Sequence, residues 1–340
     1  MKPIRVLVVD DSAFARKVLR ESLATSAAIE VVATASDGID ALEKIDQLKP
    51  DVITLDLVMP NLDGLGVLKA LDPAQRRRVV IVSMAGGDSE LAIAALAAGA
   101  FELVHKPTAL AIDLLRDVAA ELVAKVVAAG QSARHVELGT VQPLPARSEG
   151  RRSDRVVLIG TSTGGPQALT RLITALPADF PAPIAIVLHI PPGYTQALAE
   201  RLDSESAIDV VEASQGLELR PGLAVVGLAG MHLYIVSHGG RDRVHLDLEP
   251  RASVHRPSVD VLFESAARSL GSRALGVVLT GMGDDGLKGA RALVAAGGQV
   301  LTEAEGSCVV YGMPRVVREA GLSSGEALLG AMAAEISSRL

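Results

Sequence analysis

The sequence contains no tryptophan, and aromatic residues make up only 2% of its 340 positions. The stacking surfaces that single-stranded nucleic acids require are therefore missing. Positive charge is also scarce, because 33 Lys and Arg residues are set against 40 Asp and Glu, which leaves a net charge of −7. Both deficits argue against a nucleic-acid partner.

Disulfides and long apolar segments are missing as well. The one cysteine, Cys308, has no partner within the chain, which is typical of a reducing compartment. No uninterrupted apolar run reaches the roughly 18 residues that a membrane span needs, and the N-terminal residues lead straight into a strand pattern without a signal-peptide layout. We expect a cytoplasmic protein with no direct membrane insertion.

The first third of the chain alternates apolar runs with helix-like segments. The runs are IRVLVV, EVVATA, DVITLD, VVIVSM and FELVHK, and a closing helix is predicted over residues 110–128. Strands that alternate with helices form parallel sheets covered on both faces. We therefore predict a five-stranded, doubly wound, flavodoxin-like α/β domain over residues 1–126.

A linker and a second domain follow. Periodicity fades over residues 127–153, where Gly, Ser, Pro, Gln and Arg predominate, and we interpret this stretch as the linker. Strand-like runs RVVLIG, PIAIVLHI, ALGVVLTG and QVLTEA then alternate with helical segments, with a β-rich middle over residues 208–248 and a final helix after Ser324. Residues 154–340 are predicted to form an α/β, doubly wound domain with a mostly parallel sheet.

Polar residues at the ends of the first domain's strands form the first candidate site. Asp10, Asp11 and Asp56 would meet at the carboxyl edge of the sheet, where such folds bind ligands. Three carboxylates need a hard cation between them, and Mg²⁺ with its preference for oxygen ligands is the natural choice. Lys106 and Ser83 end two further strands and would contact a phosphoryl group, so the set favours phosphoryl transfer to a carboxylate. Helix caps and turns would explain one such acid, but not five matching positions.

These residues also carry a family resemblance. The motifs VLVVDDS and LDLVMPNLDG and the pair Lys106-Pro107 resemble the receiver domains of bacterial two-component response regulators, over residues 3–126. The resemblance implies that Asp56 is the phosphoacceptor, that Asp10 and Asp11 hold Mg²⁺ with it, and that the Lys106-Pro107 bond is cis. Receivers usually have an aromatic switch residue three positions before the lysine, whereas this chain has Leu103.

The second candidate site begins at a glycine-rich turn. Gly160-Thr-Ser-Thr-Gly164 follows a strand and fits the G-x-S-x-G spacing of a nucleophile elbow, with Ser162 at its centre. Taken alone, the motif is weak, and Ser162 or Thr163 as an ordinary helix N-cap would be the favoured interpretation. His189 ends the next strand as a candidate general base, and either Asp284 or Asp285 could orient its ring. We interpret the remaining histidines of this domain as structural or surface residues: His232, His238, His245 and His255.

The whole chain resembles the chemotaxis protein-glutamate methylesterases, the CheB family. The second half carries this resemblance through GTSTGGP, LHIPPGYT, HRPSVDVLFESAA, LTGMGDDG and SCVVYGMP. It implies Ser162 as nucleophile, His189 as base and acid, and Asp285 as the orienting acid. We also expect the amides of Thr163 and Met282 to bind the oxyanion.

The resemblance further implies a function. Glutamate methyl esters on methyl-accepting chemoreceptors would be hydrolysed to release methanol, and receptor glutamines deamidated, with no cofactor for the esterase reaction. A chemosensory histidine kinase would be the phosphodonor, and the resting receiver would block substrate entry until it is phosphorylated. Two alternatives are a phospho-dependent adaptor that binds receptor helices without turnover and a serine esterase for small molecules.

Overall fold

The structure is a computed structural model that describes residues 2–76, 78–84, 88–106, 112–131 and 153–340. The chain divides into two compact units, Met1–Arg134 and His135–Leu340. Each unit is built on its own parallel sheet.

The first unit contains a five-stranded sheet in the order β2-β1-β3-β4-β5, with parallel pairing throughout. This confirms the predicted doubly wound fold, and the strands are apolar because helices cover both faces. Ser12, Asp37 and Asp63 cap three of the helices with their side-chain oxygens. The elements are β1 (Ile4–Val9), α1 (Ala13–Leu23), β2 (Ile29–Ala35), α2 (Gly38–Leu48), β3 (Val52–Leu55), α3 (Gly64–Ala70), α4 (Pro73–Arg76), β4 (Val79–Ser83), α5 (Ser89–Ala97), β5 (Glu102–His105) and α6 (Ile112–Gln131).

Helix α6 corrects the predicted linker boundary. The helix continues to Gln131, so the segment predicted as linker, residues 127–153, begins inside its last turns. Ala129 is buried, and this apolar contact favours helix beyond residue 128, where the sequence composition alone suggested a loop. Most of the remaining linker lies outside the described residues.

The second unit contains a seven-stranded sheet in the order β14-β13-β12-β6-β7-β9-β8. All of its strand pairs are parallel, as predicted for a mostly parallel sheet. The elements are β6 (Val156–Thr161), α7 (Gly165–Thr174), β7 (Ile184–Leu188), α8 (Thr195–Glu205), β8 (Asp209–Glu212), β9 (Leu223–Val226), β10 (His232–His238), β11 (Arg241–Asp247), α9 (Val259–Leu270), β12 (Ala274–Val278), α10 (Leu287–Ala295), β13 (Gln299–Glu303), α11 (Met313–Glu319), β14 (Gly325–Ala327) and α12 (Leu329–Ser338).

Two details differ from the sequence interpretation. A short edge strand, β14, precedes the final helix, and within the β-rich middle β10 and β11 form a separate antiparallel hairpin. The strand order also places β6 between β7 and β12. After β6, the chain first adds strands on the β7 side of the sheet and later adds strands on the β12 side. Such a switch point opens a crevice at the carboxyl ends of the central strands.

A search of the described residues finds no helix with the length and apolarity that crossing a membrane requires.

Candidate active sites

The acidic residues of the first unit meet at the carboxyl edge of its sheet. Asp10 follows β1 and Asp56 follows β3, and the amide of Asp56 donates to the carbonyl of Val9 at 3.0 Å, which holds the two strand ends together. One carboxylate oxygen from each of Asp10, Asp11 and Asp56 lies within 4.8 Å of the other two. Asp10 and Asp56 are buried, whereas Asp11 is exposed. The set offers hard oxygen ligands on one open side, which suits a divalent cation such as Mg²⁺.

Lys106 holds the two buried carboxylates. Its Nζ lies 2.8 Å from Asp10 Oδ2 and 2.8 Å from Asp56 Oδ2. Burial acts against the charged ammonium, but the hydrogen bonds with both carboxylates outweigh it and raise the pKa of Lys106. Burial raises the pKa of Asp56, and the neighbouring Asp10 adds to this, although Lys106 acts in the opposite direction.

The other receiver residues occupy the same edge. Ser83 is buried at the last position of β4, and Lys106 follows β5. Leu103, the residue at the usual aromatic switch position, is fully buried, and its carbonyl accepts a hydrogen bond from Lys125 Nζ at 2.6 Å. The predicted cis bond between Lys106 and Pro107 falls outside the described residues.

The second site occupies the switch point of the seven-stranded sheet. Ser162 follows β6, His189 follows β7 and Asp285 lies in the loop after β12, so three adjacent central strands supply the three residues. The amide of His189 donates to the carbonyl of Thr161 at 3.1 Å, which joins the ends of β6 and β7. Residues far apart in the sequence thus converge because parallel strands end at one edge.

His189 and Asp285 are directly hydrogen-bonded. His189 Nε2 lies 2.8 Å from Asp285 Oδ2, and the histidine side chain is only 8% exposed. The Nδ1 atom of the ring is buried, and no described residue hydrogen-bonds to it. If Nε2 carries the proton toward Asp285, Nδ1 holds the lone pair that a general base needs. The structure records no hydrogen bond between this ring and Ser162 Oγ, as is common before substrate binds.

The structure distinguishes the two candidate acids. Asp284 is exposed, while Asp285 accepts hydrogen bonds on both oxygens at the N-terminus of α9. Oδ1 accepts from Ser258 Oγ at 2.9 Å and from the Asp260 amide at 2.9 Å, and Oδ2 accepts from the Val259 amide at 2.8 Å.

These contacts determine the charge of Asp285. Burial alone would raise its pKa, but the hydrogen bond from His189, the charge of that ring and the backbone amides lower it to about 2. Asp260 fixes the same loop from the other side, because its Oδ1 accepts from the amides of Gly286 at 2.9 Å and Gly289 at 2.7 Å. Asp285 is therefore an ionised acceptor held in one orientation.

Ser162 is held by the loop that follows β12. Its amide donates to the carbonyl of Thr280 at 3.1 Å, and Thr280 Oγ1 donates to the carbonyl of Thr163 at 3.0 Å. Gly281 allows this close approach, since a Cβ there would lie 2.9 Å from Ser162 Cβ and 2.3 Å from Met313 Sδ. Glu303, fully buried, accepts the amide of Thr280 at 2.8 Å, and burial raises its pKa. Sequence spacing gave no sign of this buried support.

The two residues expected to bind the oxyanion lie beside the contact between Ser162 and Gly281. Thr163 follows Ser162 and is buried, and Met282 follows Gly281 with 39% of its surface exposed. The close approach of Gly281 to Ser162 brings the Met282 loop beside the serine. Gly160, two residues before Ser162, packs so tightly on Val259 that a Cβ would lie 2.3 Å from Val259 Cγ1.

His255 is exposed, in agreement with its interpretation as a structural or surface residue, and it also reaches this site. Its ring stacks on that of His189 with 3.9 Å between centroids and 16° between planes. His255 is the first residue of the motif HRPSVDVLFESAA, which leads into α9, and its place in that motif is the signal that could have indicated it.

The folds and sites together define a two-domain class, in which a receiver-type sheet with an acidic cluster at its carboxyl edge is joined to an α/β domain with a serine, histidine and aspartate at its switch point. Residues 157–336 match the family CheB methylesterase, and residues 6–118 match the response regulator receiver domain. The chain belongs to the CheB methylesterase family and carries a receiver domain.

Curated relatives cover nearly the whole chain. The protein-glutamate methylesterase/protein-glutamine glutaminase 5 of Myxococcus xanthus is 59% identical over 98% of this chain and 97% of the relative. The protein-glutamate methylesterase/protein-glutamine glutaminase of Symbiobacterium thermophilum is 47% identical over 94% of this chain and 92% of the relative. Among solved structures, the catalytic domain of the Thermotoga maritima CheB methylesterase covers 55% of this chain and 98% of its own, at 39% identity and a TM-score of 0.54.

Proposed function

We propose that this chain is a phosphorylation-regulated hydrolase that demethylates glutamate methyl esters on chemoreceptors and deamidates receptor glutamines. The names of its relatives support the activity. The observation that carries the chemistry is the hydrogen bond of 2.8 Å between His189 and Asp285 at the sheet edge that also bears Ser162. We propose a cytoplasmic location, where the modified part of a receptor would be accessible.

In this mechanism Ser162 is the nucleophile. Its Oγ attacks the ester carbonyl carbon while His189 Nδ1 takes the hydroxyl proton, and Asp285 stabilises the imidazolium that forms. The amides of Thr163 and Met282 are proposed to bind the oxyanion. When the tetrahedral intermediate collapses, His189 returns the proton to the methoxy oxygen and methanol leaves.

The glutamyl ester on Ser162 is then hydrolysed. His189 takes a proton from water, the hydroxide adds to the carbonyl, and the proton returns to Ser162 Oγ as glutamate is released. A glutamine substrate follows the same steps with ammonia as the first product. None of these steps requires a cofactor.

The receiver is proposed to control this reaction. Asp56 would accept a phosphoryl group from a chemosensory histidine kinase, and Asp10, Asp11 and Asp56 would hold Mg²⁺, which neutralises the charge of the incoming phosphoryl oxygens. Ser83 and Lys106 would contact the bound phosphoryl group. The ion pairs of Lys106 with Asp10 and Asp56, each at 2.8 Å, support this role because phosphorylation would change the partners of the ammonium.

The test is methanol release from a methylated receptor fragment, with and without acetyl phosphate and Mg²⁺. We expect release that increases with the phosphodonor, and Ser162→Ala or His189→Ala should lower it by about 10³-fold or more. A chain that binds the fragment but releases no methanol would instead be the phospho-dependent adaptor. Release from small esters but not from the receptor fragment would favour the small-molecule esterase.

A further inference from the structure

The stack of His255 on His189 assigns a second histidine to the site. His255 comes from the segment between β11 and α9, and its ring is nearly parallel to that of His189, with 3.9 Å between centroids and 16° between planes. Contact over a whole ring face restricts motions that a hydrogen bond at one ring edge leaves free. Histidine χ2 has a broad torsional minimum, so a single hydrogen bond to Asp285 does not fix the tilt of the ring.

The segment that carries His255 also holds the acid. Within six residues, His255 contacts the base while Ser258, Val259 and Asp260 supply three hydrogen bonds to Asp285, of 2.8 to 2.9 Å. The segment is itself anchored, because the carbonyl of Arg256 accepts the amide of Gly230 at 3.0 Å and Pro257 is buried. One rigid stretch therefore sets the positions of both partners of the 2.8 Å hydrogen bond.

We propose that His255 is a positioning residue for His189, which fixes the plane of the catalytic imidazole so that Nδ1 points toward the nucleophile. This inference rests on the proposed function, in which His189 is the base. The π face of an aromatic ring also favours an imidazolium stacked on it, after the proton has been taken up. The role requires an aromatic face and does not require His255 to exchange protons.

The test compares His255→Ala with His255→Phe in the full-length chain, with kcat and KM measured by methanol release. Misplacement of a catalytic group can cost up to about 10²-fold, so we expect His255→Ala to lower kcat by about tenfold with KM unchanged within about twofold. His255→Phe, which keeps a ring on His189, should recover most of the lost kcat. His238→Ala, at the exposed end of β10, is the matched control and should behave like the parent chain.

A second measurement separates positioning from general destabilisation. Nitrogen-15 NMR of the His189 ring should give one tautomer, protonated at Nε2, in the parent chain and in His255→Phe, and a tautomer mixture or exchange broadening in His255→Ala.

Three outcomes would overturn the inference: an unchanged kcat in His255→Ala, equal losses in the Ala and Phe variants, or a rise in KM alone. His189→Ala, measured in parallel, keeps the two hypotheses apart. If it remains active, the proposed function fails. If it is inactive while His255→Ala is fully active, only the positioning role fails.

Discussion

Asp56 and Asp285 stand at equivalent places in the two units, yet their environments have opposite effects. Each follows a central parallel strand and is largely buried. The pKa of Asp56 is raised, mainly by burial, whereas the pKa of Asp285 is lowered to about 2 because hydrogen bonds outweigh the same burial. Asp56 accepts from Lys106 on one oxygen and from the Leu57 amide on the other, while Asp285 accepts from four donors.

In the proposed mechanism, this difference separates a reacting carboxylate, Asp56, from an orienting one, Asp285. A phosphoacceptor must present an oxygen that can form a new bond, so few fixed donors and a replaceable ammonium suit it. An orienting acid must stay ionised and still while the imidazole gains and loses a proton, so saturation of both oxygens suits it. Under that proposal, the carboxyl edge of a parallel sheet would serve both purposes, and the number of hydrogen-bond donors around the carboxylate would distinguish them.

The largest expected effect is on phosphorylation. Asp56→Ala should abolish label uptake from radioactive acetyl phosphate, because Asp56 is the proposed phosphoacceptor. Asp10 is also buried and also lies 2.8 Å from Lys106 Nζ, but it is proposed to hold Mg²⁺ instead. Uptake by the parent chain should also require Mg²⁺. The surface variant Asp46→Ala should label normally, and label that persists in Asp56→Ala would reject the assignment.

The choice between the neighbouring acids gives the next largest effect. Asp285→Asn should lower kcat for methanol release by about 10²-fold or more, because a neutral amide neither stabilises the imidazolium nor selects the right tautomer. Asp284→Asn, an exposed neighbour with the same chemical change, should stay within about twofold of the parent chain. The reverse result would move the orienting role to Asp284.

Ionisation of Asp285 and ionisation of Asp56 should change the free energy of unfolding in opposite directions. The pKa of Asp285 falls on folding from 3.8 to about 2, so its contribution to the free energy of unfolding is present above pH 4 and is lost as pH falls toward 2. Asp285→Asn should therefore cost the hydrolase unit about 2 kcal/mol at pH 7 and little near pH 2. Asp56 has a raised pKa, so its ionisation opposes folding as pH rises through the unfolded value, and Asp56→Asn should stabilise the receiver unit at pH 7.

Denaturant unfolding of the full-length variants at several pH values, with probes in each unit, measures both effects. Shifts of the same sign in the two units would contradict the comparison.

The smallest expected effect concerns coupling of the units. The segment between the units, which we propose to be a linker of about 20 residues, would keep the receiver at an effective concentration on the order of mM near the hydrolase, which favours regulation within the chain. We expect residues 150–340 alone to release methanol about fivefold or more faster than the unphosphorylated full-length chain, and full-length Asp56→Asn to ignore the phosphodonor. Equal rates for the fragment and the resting chain would leave the receiver only a recruiting or activating role.

The sheets were predictable because buried parallel strands are almost entirely apolar. Runs such as IRVLVV and RVVLIG can be recognised as buried strands from their own residues, without knowledge of the strands they pair with. Strand order in the second sheet was not predictable, since β12 pairs with β6 across more than one hundred residues and no local pattern encodes that pairing. The end of α6 was placed at residue 128 and not at Gln131, because burial of Ala129 overrides weak local composition.

The residues of the second candidate site also include some that could be predicted from the sequence and some that could not. Ser162 and His189 follow recognisable strands, so their meeting at one edge could be expected from topology. Spacing could not separate Asp284 from Asp285, because the distinction lies in donors from α9, 25 to 27 residues away. His255 was missed for a related reason, as a ring stack between distant segments leaves no spacing in the sequence.

The close contact between Gly160 and Val259 couples substitutions at these two positions, which are far apart in the sequence. A methyl group at position 160 would meet Val259 Cγ1 at 2.3 Å, and the branched valine has little rotamer freedom to retreat. We expect any larger residue at 160 to push α9, and with it the amides that hold Asp285, away from β6. Active clones from a library randomised at positions 160 and 259 should therefore carry either glycine at 160 or a larger residue at 160 paired with a smaller one at 259.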